Sequence, residues 1–109
     1  MNIEQFELIL CDQYMMDAWQ PPPLWKWSKE FKQASSQQWA VRELEDYIRK
    51  RLRPKKSGTV REFIQYAAAF KTKMLRYASR SDTNEEMREI FQTAGAVATD
   101  ILDLLNAMK

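Results

Sequence analysis

The side chains most often used in catalysis are scarce in this chain. Its 109 residues include no histidine and a single cysteine, Cys11. Histidine is the commonest metal ligand and the only side chain whose unperturbed pKa lies near neutrality. Zinc sites with Cys and His ligands, Ser-His-Asp and Cys-His nucleophiles, the Glu-x-x-His di-iron site and a histidine-based pH switch are therefore excluded. Cys11 cannot form an internal disulfide and follows three apolar residues, which is typical of a small buried side chain.

Carboxylates could still supply acid–base chemistry, but their positions favour solvated helix faces. Glu85, Glu86 and Glu89 fall in the first turns of a predicted helix, where acidic side chains interact favourably with the helix dipole. Asp100 and Asp103 lie away from the apolar stripe of the same helix. Residues 55–58 have neither the length nor the glycine spacing of a phosphate-binding loop. We therefore predict a protein that is not an enzyme and that uses no metal or cofactor.

Positive charge is concentrated in the middle of the chain. The net charge is only +2, but residues 1–25 carry −4, residues 26–56 carry +6, residues 57–80 carry +4 and residues 81–109 carry −4. The candidate anion-binding residues come from the end of the second predicted helix, the loop after it and the third predicted helix: Arg49, Lys50, Arg51, Arg53, Lys55, Lys56, Lys73, Arg76 and Arg80.

Three interpretations of this basic surface are open. Lysine and arginine bind acidic protein surfaces or the phosphates of nucleic acid. Cations near a helix C-terminus also offset the helix dipole, and Glu45 with Arg49 and Asp46 with Lys50 have the spacing of stabilising ion pairs. Finally, the basic middle could face the acidic outer helices and fix the topology of the bundle. No helix-turn-helix, zinc-finger or RNA-recognition motif is present, so nucleic acid would be bound mainly by electrostatics.

All four tryptophans fall between positions 19 and 39, and three of them flank a proline run. Trp19, Trp25 and Trp27 surround prolines 21–23, which cannot be helical and should extend as polyproline II or a turn. Trp39 is predicted to lie opposite the apolar residues of its helix. Tryptophan is enriched at binding hot spots, so all four are protein-interaction candidates. Alternatively, they pack the proline segment onto the protein, with Trp39 beneath it.

Helix signals dominate the chain. It has only two glycines and no Asn-Gly or Asp-Gly hairpin signal, which argues against a sheet. The spacing of a capping box predicts three helix starts: Ser35 with Gln38, Thr59 with Glu62, and Thr83 with Glu86.

Apolar residues at helical spacing predict four helices, over residues 3–18, 36–52, 60–78 and 84–108. The second helix could instead begin at Lys29, because Phe31 and Ala34 lie near its apolar face. We predict an all-α fold: one domain over residues 1–109, a compact bundle of about four helices with antiparallel neighbours and a proline-rich crossover between helices one and two.

The predicted function is binding. The first predicted helix is apolar on most sides, which favours a central position or self-association. Residues 1–10 lack the basic region of a signal peptide, and no apolar run approaches the ~20 residues that span a membrane. We expect a soluble, cytoplasmic adaptor, inhibitor, assembly factor or regulator that docks on an acidic protein surface or on a second copy of itself. The alternative is a nucleic-acid-binding protein that uses the same basic surface.

Overall fold

Four α-helices make up most of the chain that the structure describes. This computed structural model describes residues 1–14, 29–52 and 57–109, and within the second helix the side chains of residues 37–52. The helices are α1 (Ile3–Gln13), α2 (Lys29–Leu52), α3 (Val60–Ala78) and α4 (Glu85–Ala107). No strand occurs in these three ranges, so the predicted all-α bundle is confirmed. The proline-rich crossover lies outside the described residues.

The helix starts are set by polar caps, not all of them where the spacing predicts. Thr59 and Glu62 form the predicted capping box of α3, with each side chain bonded to the backbone N–H of the other. The other two predicted starts are wrong. Thr83 uses its hydroxyl to donate to the Tyr77 carbonyl at 2.8 Å, so Asn84 caps α4 instead. Ser35 lies inside α2.

Two predicted boundaries also require correction. α2 begins at Lys29, the alternative start, and not at residue 36, because no proline or glycine interrupts residues 29–36 and the helix can continue through them. α1 ends at Gln13 and not at residue 18. Tyr14 is its C-cap, and the Tyr14 hydroxyl donates to the Val97 carbonyl of α4 at 3.3 Å. The bounds of α3 and α4 agree with prediction to within one residue.

The tightest packing is between α3 and α4, which are joined by the short connection 79–84 and therefore run antiparallel. Small residues of α4 allow this approach, since Ala94, Gly95 and Ala98 are buried against the bundle. A Cβ atom at Gly95 would lie only 2.7 Å from Leu75 Cδ2 of α3. The space between the helices is thus filled by α3 side chains.

α1 is attached to the other helices at a few long-range points. The rings of Phe6 on α1 and Phe63 on α3 are tilted against each other with centroids 5.1 Å apart. The Gly58 N–H donates to the Met1 carbonyl at 2.9 Å, which ties the start of α1 to the residues before α3. Within the described chain, no helix is both long enough and apolar enough to cross a membrane.

Candidate functional site

Tyr47 of α2 lies near two of the predicted cations, Arg51 and Lys73. Its half-buried ring meets the ring of Phe70 on α3 edge-on, with centroids 5.6 Å apart. One turn later on α2, the guanidinium of Arg51 lies 3.3 Å from the centroid of the Tyr47 ring and donates to the Tyr47 carbonyl at 3.2 Å. The ring favours this position of the cation, because a guanidinium is attracted to the face of an aromatic ring.

Lys73 continues this arrangement onto α3. Its Nζ lies 5.5 Å from the centroid of the Tyr47 ring and 5.9 Å from that of the Tyr77 ring. Tyr77 in turn packs against Phe91 of α4, with centroids 5.4 Å apart. Cations and tyrosines therefore alternate along one surface. We call Tyr47, Arg51, Lys73 and Tyr77 the cation–tyrosine strip.

The groove beside the strip, between α2 and α3, contains charges of both signs. Its volume is about 140 Å³, and Glu43 and Asp46 line it together with Lys50, Arg51 and Lys73. Lys50 forms the predicted ion pair with Asp46 at 2.9 Å. Burial, and then the charge of Asp46, raise the pKa of Glu43, while Lys50 and Lys73 act in the opposite direction. The groove therefore differs from a uniformly basic channel.

Arg49 belongs to a separate cluster. It forms the predicted ion pair with Glu45 at 2.7 Å and a second ion pair with Glu7 of α1. Glu45 is 1% exposed. Burial and a hydrogen bond with Glu7 raise the pKa of Glu45 to about 7, against the opposing effect of Arg49. This contact between the basic α2 and the acidic α1 supports the interpretation in which charge helps to fix the bundle topology.

The remaining predicted cations differ in how far their charge is already paired. Arg80 is exposed but binds Asp82 through two hydrogen bonds of 3.1 and 3.0 Å. Arg76 is exposed and has no acidic partner in the described part of the chain. Arg53, Lys55 and Lys56 lie outside the described residues. Lys73 and Arg76 on α3, together with Arg51 on α2, are thus the cations best placed to meet an anion.

Of the four tryptophan candidates, only Trp39 lies among the described side chains. It is 6% exposed and belongs to the hydrophobic core, next to the fully buried Ala40 and Val41. Several sides of α2 are therefore buried. Trp39 packs in the core and does not lie on an exposed face. Trp19, Trp25 and Trp27 lie outside the described residues.

A second cleft opens where α3 meets α4, with a volume of about 340 Å³. Tyr77, Met87 and Phe91 form its apolar wall, and all three are half-buried. By helical spacing these side chains belong to the apolar stripes of α3 and α4, which predicts them to be core residues. They are partly exposed because they line this cleft together with residues of the connection, which no spacing along one helix reveals.

The carboxylates considered for catalysis do not converge. Glu85, Glu86, Glu89, Asp100 and Asp103 are all exposed on α4. The described ranges contain no group of three His, Cys, Asp or Glu residues that could hold a metal ion.

Cys11 is half-buried on α1. Burial, followed by the charge of Glu7, raises the pKa of its thiol. A thiol with a raised pKa is a weaker nucleophile near neutral pH, because the thiolate is the reactive form.

Comparison of the chain with models of protein families, with curated proteins and with solved structures finds no match. The interpretation of this surface therefore depends on the geometry above.

Proposed function

We propose that this chain is a non-enzymatic binding protein that docks on an acidic protein partner through the cation–tyrosine strip and the neighbouring Arg76. The observation that carries the proposal is the placement of Arg51 and Lys73 against tyrosine rings contributed by two helices. Cations held in place before binding lose less conformational freedom when they meet a carboxylate. Aromatic residues and arginine are also the side chains most enriched at protein interfaces.

The same geometry argues against nucleic acid as the ligand. A single-stranded base stacks on an open aromatic face, but Arg51 covers a face of Tyr47 at 3.3 Å. Glu43 and Asp46 in the groove would repel a phosphate backbone. A protein surface can offer basic groups to these two carboxylates and acidic groups to Lys73 and Arg76, so it suits the mixed groove better.

Charge reversal on α3 tests the proposal. We expect affinity capture from native cells, quantified by mass spectrometry, to recover an acidic protein with the wild-type chain and to lose it with the double variant Lys73→Glu/Arg76→Glu. Arg61→Glu is the matched control, because Arg61 is an exposed cation at the other end of α3. Both substitutions lie on the surface, and circular dichroism verifies that the helices are retained.

A gain-of-function variant strengthens the test. Asp46→Asn removes the carboxylate that pairs with Lys50 and leaves this cation available to the acidic protein. That protein should therefore be captured at a lower bait concentration. Capture should also weaken as salt is raised, because exposed charges are screened. The proposal is wrong if the partner is retained by Lys73→Glu/Arg76→Glu, or if nuclease treatment removes everything captured, which would indicate nucleic acid.

A further inference from the structure

The cleft between α3 and α4 has the form of a receptor for an apolar side chain. Tyr77, Met87 and Phe91 form one wall, polar residues of the connection line the rest, and the volume is about 340 Å³. An apolar cavity of about 150 Å³ is large enough to hold benzene. One aromatic or other bulky apolar side chain therefore fits here with room for the backbone that carries it.

The polar groups around the cleft are already bonded within the chain. Arg80 binds Asp82, and the Thr83 hydroxyl donates to the Tyr77 carbonyl at 2.8 Å. The Asn84 side chain accepts the Met87 N–H at 2.8 Å. Sites for small polar molecules present several polar groups that converge on the ligand. Here the rim side chains already bond to one another or to the backbone, so an apolar group is the better occupant.

Arg88 of α4 holds the rim rigid. Its Nε donates to the Ala78 carbonyl at 3.0 Å, and its terminal nitrogen donates to the Thr83 carbonyl at 3.2 Å. These bonds connect the end of α3 and the connection to the first turns of α4. The cleft is thus formed before any ligand arrives, which lowers the entropic cost of binding.

The cleft is continuous with the cation–tyrosine strip, because Tyr77 belongs to both. Lys73 lies 5.9 Å from the Tyr77 ring, and Arg76 precedes Tyr77 on α3. An extended peptide advances about 3.3 Å per residue, so about two residues span the distance from Tyr77 to Lys73. Positive charge on this side of the cleft complements acidic residues in the partner.

We infer that this cleft binds one bulky apolar side chain of the acidic partner, about two residues away from the carboxylate that meets Lys73 and close to the exposed Arg76. The inference depends on the proposed function, since it describes how the same partner is recognised. The partner would then be recognised by an apolar pocket as well as by the charges of Lys73 and Arg76.

Selection from a random 12-residue peptide library on the immobilised full chain tests the inference. The expected peptides are rich in Asp and Glu and share one aromatic or large aliphatic residue at this spacing. Met87→Gln should abolish the apolar preference and weaken the best peptide by about tenfold or more, which isothermal titration measures. This variant should fold, because position 87 is the third residue of α4, where glutamine favours the helix start.

Met108→Gln is the matched control, because Met108 is an exposed methionine at the far end of α4. It should leave the affinity within about twofold. Acidic peptides without a common apolar residue, or full affinity in Met87→Gln, would overturn the pocket and leave the proposed function standing. Selected peptides that are not enriched in Asp and Glu would overturn both the pocket and the proposed function. A dimer that Met87→Gln dissociates would assign the cleft to a second copy of the chain and overturn the inference.

Discussion

Arg49 of α2 forms an ion pair with Glu7 of α1, across 42 positions of the sequence. The same guanidinium binds Glu45, so one cation meets two carboxyl groups in a site where Glu45 is 1% exposed. A buried and a half-buried negative charge beside a single positive charge are unfavourable. The electrostatic cost is lower when Glu45 is protonated and hydrogen-bonds to Glu7.

This cluster predicts a dependence of stability on pH. In the folded chain the pKa of Glu45 is raised to about 7, whereas the ordinary value is 4.5. Between these values the folded state holds a proton that the unfolded state has released. The free energy of unfolding should therefore fall as pH rises from 4.5 to about 7 and then level off, with an upper limit of ~1.4 kcal/mol per unit of pKa difference.

Urea denaturation at pH 5, 6, 7 and 8 measures this effect. Glu45→Gln should flatten that part of the profile, because glutamine keeps the shape of the side chain without the titration. Glu89→Gln, at an exposed position on α4, should leave the profile unchanged. An unaltered slope in Glu45→Gln would show that another group is responsible.

The burial of Trp39 predicts a structural role for this side chain. Trp39→Ala should lower the free energy of unfolding by ~3–5 kcal/mol, because it leaves a cavity in the core. Leu8→Ala provides the contrast, since Leu8 is 70% exposed and the change should cost less than ~0.5 kcal/mol. Denaturant titration compares the two, and a Trp39→Ala variant as stable as Leu8→Ala would place Trp39 outside the core.

The capping box of α3 predicts a smaller loss. Thr59→Ala removes the hydroxyl that accepts the Glu62 N–H at 3.1 Å and should cost about 1 kcal/mol. Thr72→Ala is the control, because Thr72 is an exposed residue inside the same helix whose hydroxyl bonds to the Ala68 carbonyl. Alanine is the better helix former, so this change should be neutral or slightly stabilising. Thermal unfolding distinguishes the two, and equal melting temperatures would contradict the cap.

The close approach of Gly95 to Leu75 predicts a coupled pair. Gly95→Ala gains ~1 kcal/mol of helix propensity, but its Cβ forces Leu75 to turn away at a cost of ~0.5–1.5 kcal/mol. Leu75 is 41% exposed and has room to move, so the net change should be close to zero. In a Leu75→Ala background the clash with Leu75 is absent, so Gly95→Ala should raise the free energy of unfolding by the full ~1 kcal/mol. A double-mutant cycle measures the coupling, and identical effects of Gly95→Ala in both backgrounds would refute it.

The sequence predicts some helix boundaries of this structure better than others. α3 and α4 are predicted to within one residue, because each has a clear apolar stripe and a breaking connection nearby. For α2 the preferred start at residue 36 is wrong and the alternative start at Lys29 is correct, because the capping-box spacing of Ser35 and Gln38 falls within residues that continue the helix. Local spacing therefore identifies elements well and selects between competing starts poorly.

In the candidate site, contacts within one helix can be predicted from the sequence, whereas contacts between helices cannot. Tyr47 and Arg51 are four residues apart on one helix, so their contact could have been read from the sequence. The ion pair of Arg49 with Glu7 could not, because it joins positions whose proximity is created only by the fold. Likewise, the cleft beside Tyr77 forms between two helices, and no pattern on either helix encodes it.

The hydrogen bond from Tyr14 to Val97 has a consequence for how the chain is made. These residues are 83 positions apart, so α1 leaves the ribosome long before its partner on α4 exists. At ~5–20 residues per second, the interval is roughly 4 to 17 seconds. Throughout that time the apolar face of Ile3, Phe6 and Leu10 lacks part of its final covering. In that interval α1 can already meet Arg49 of α2 and Phe63 of α3, so the hydrogen bond to Val97 is the last of these long-range contacts that can form.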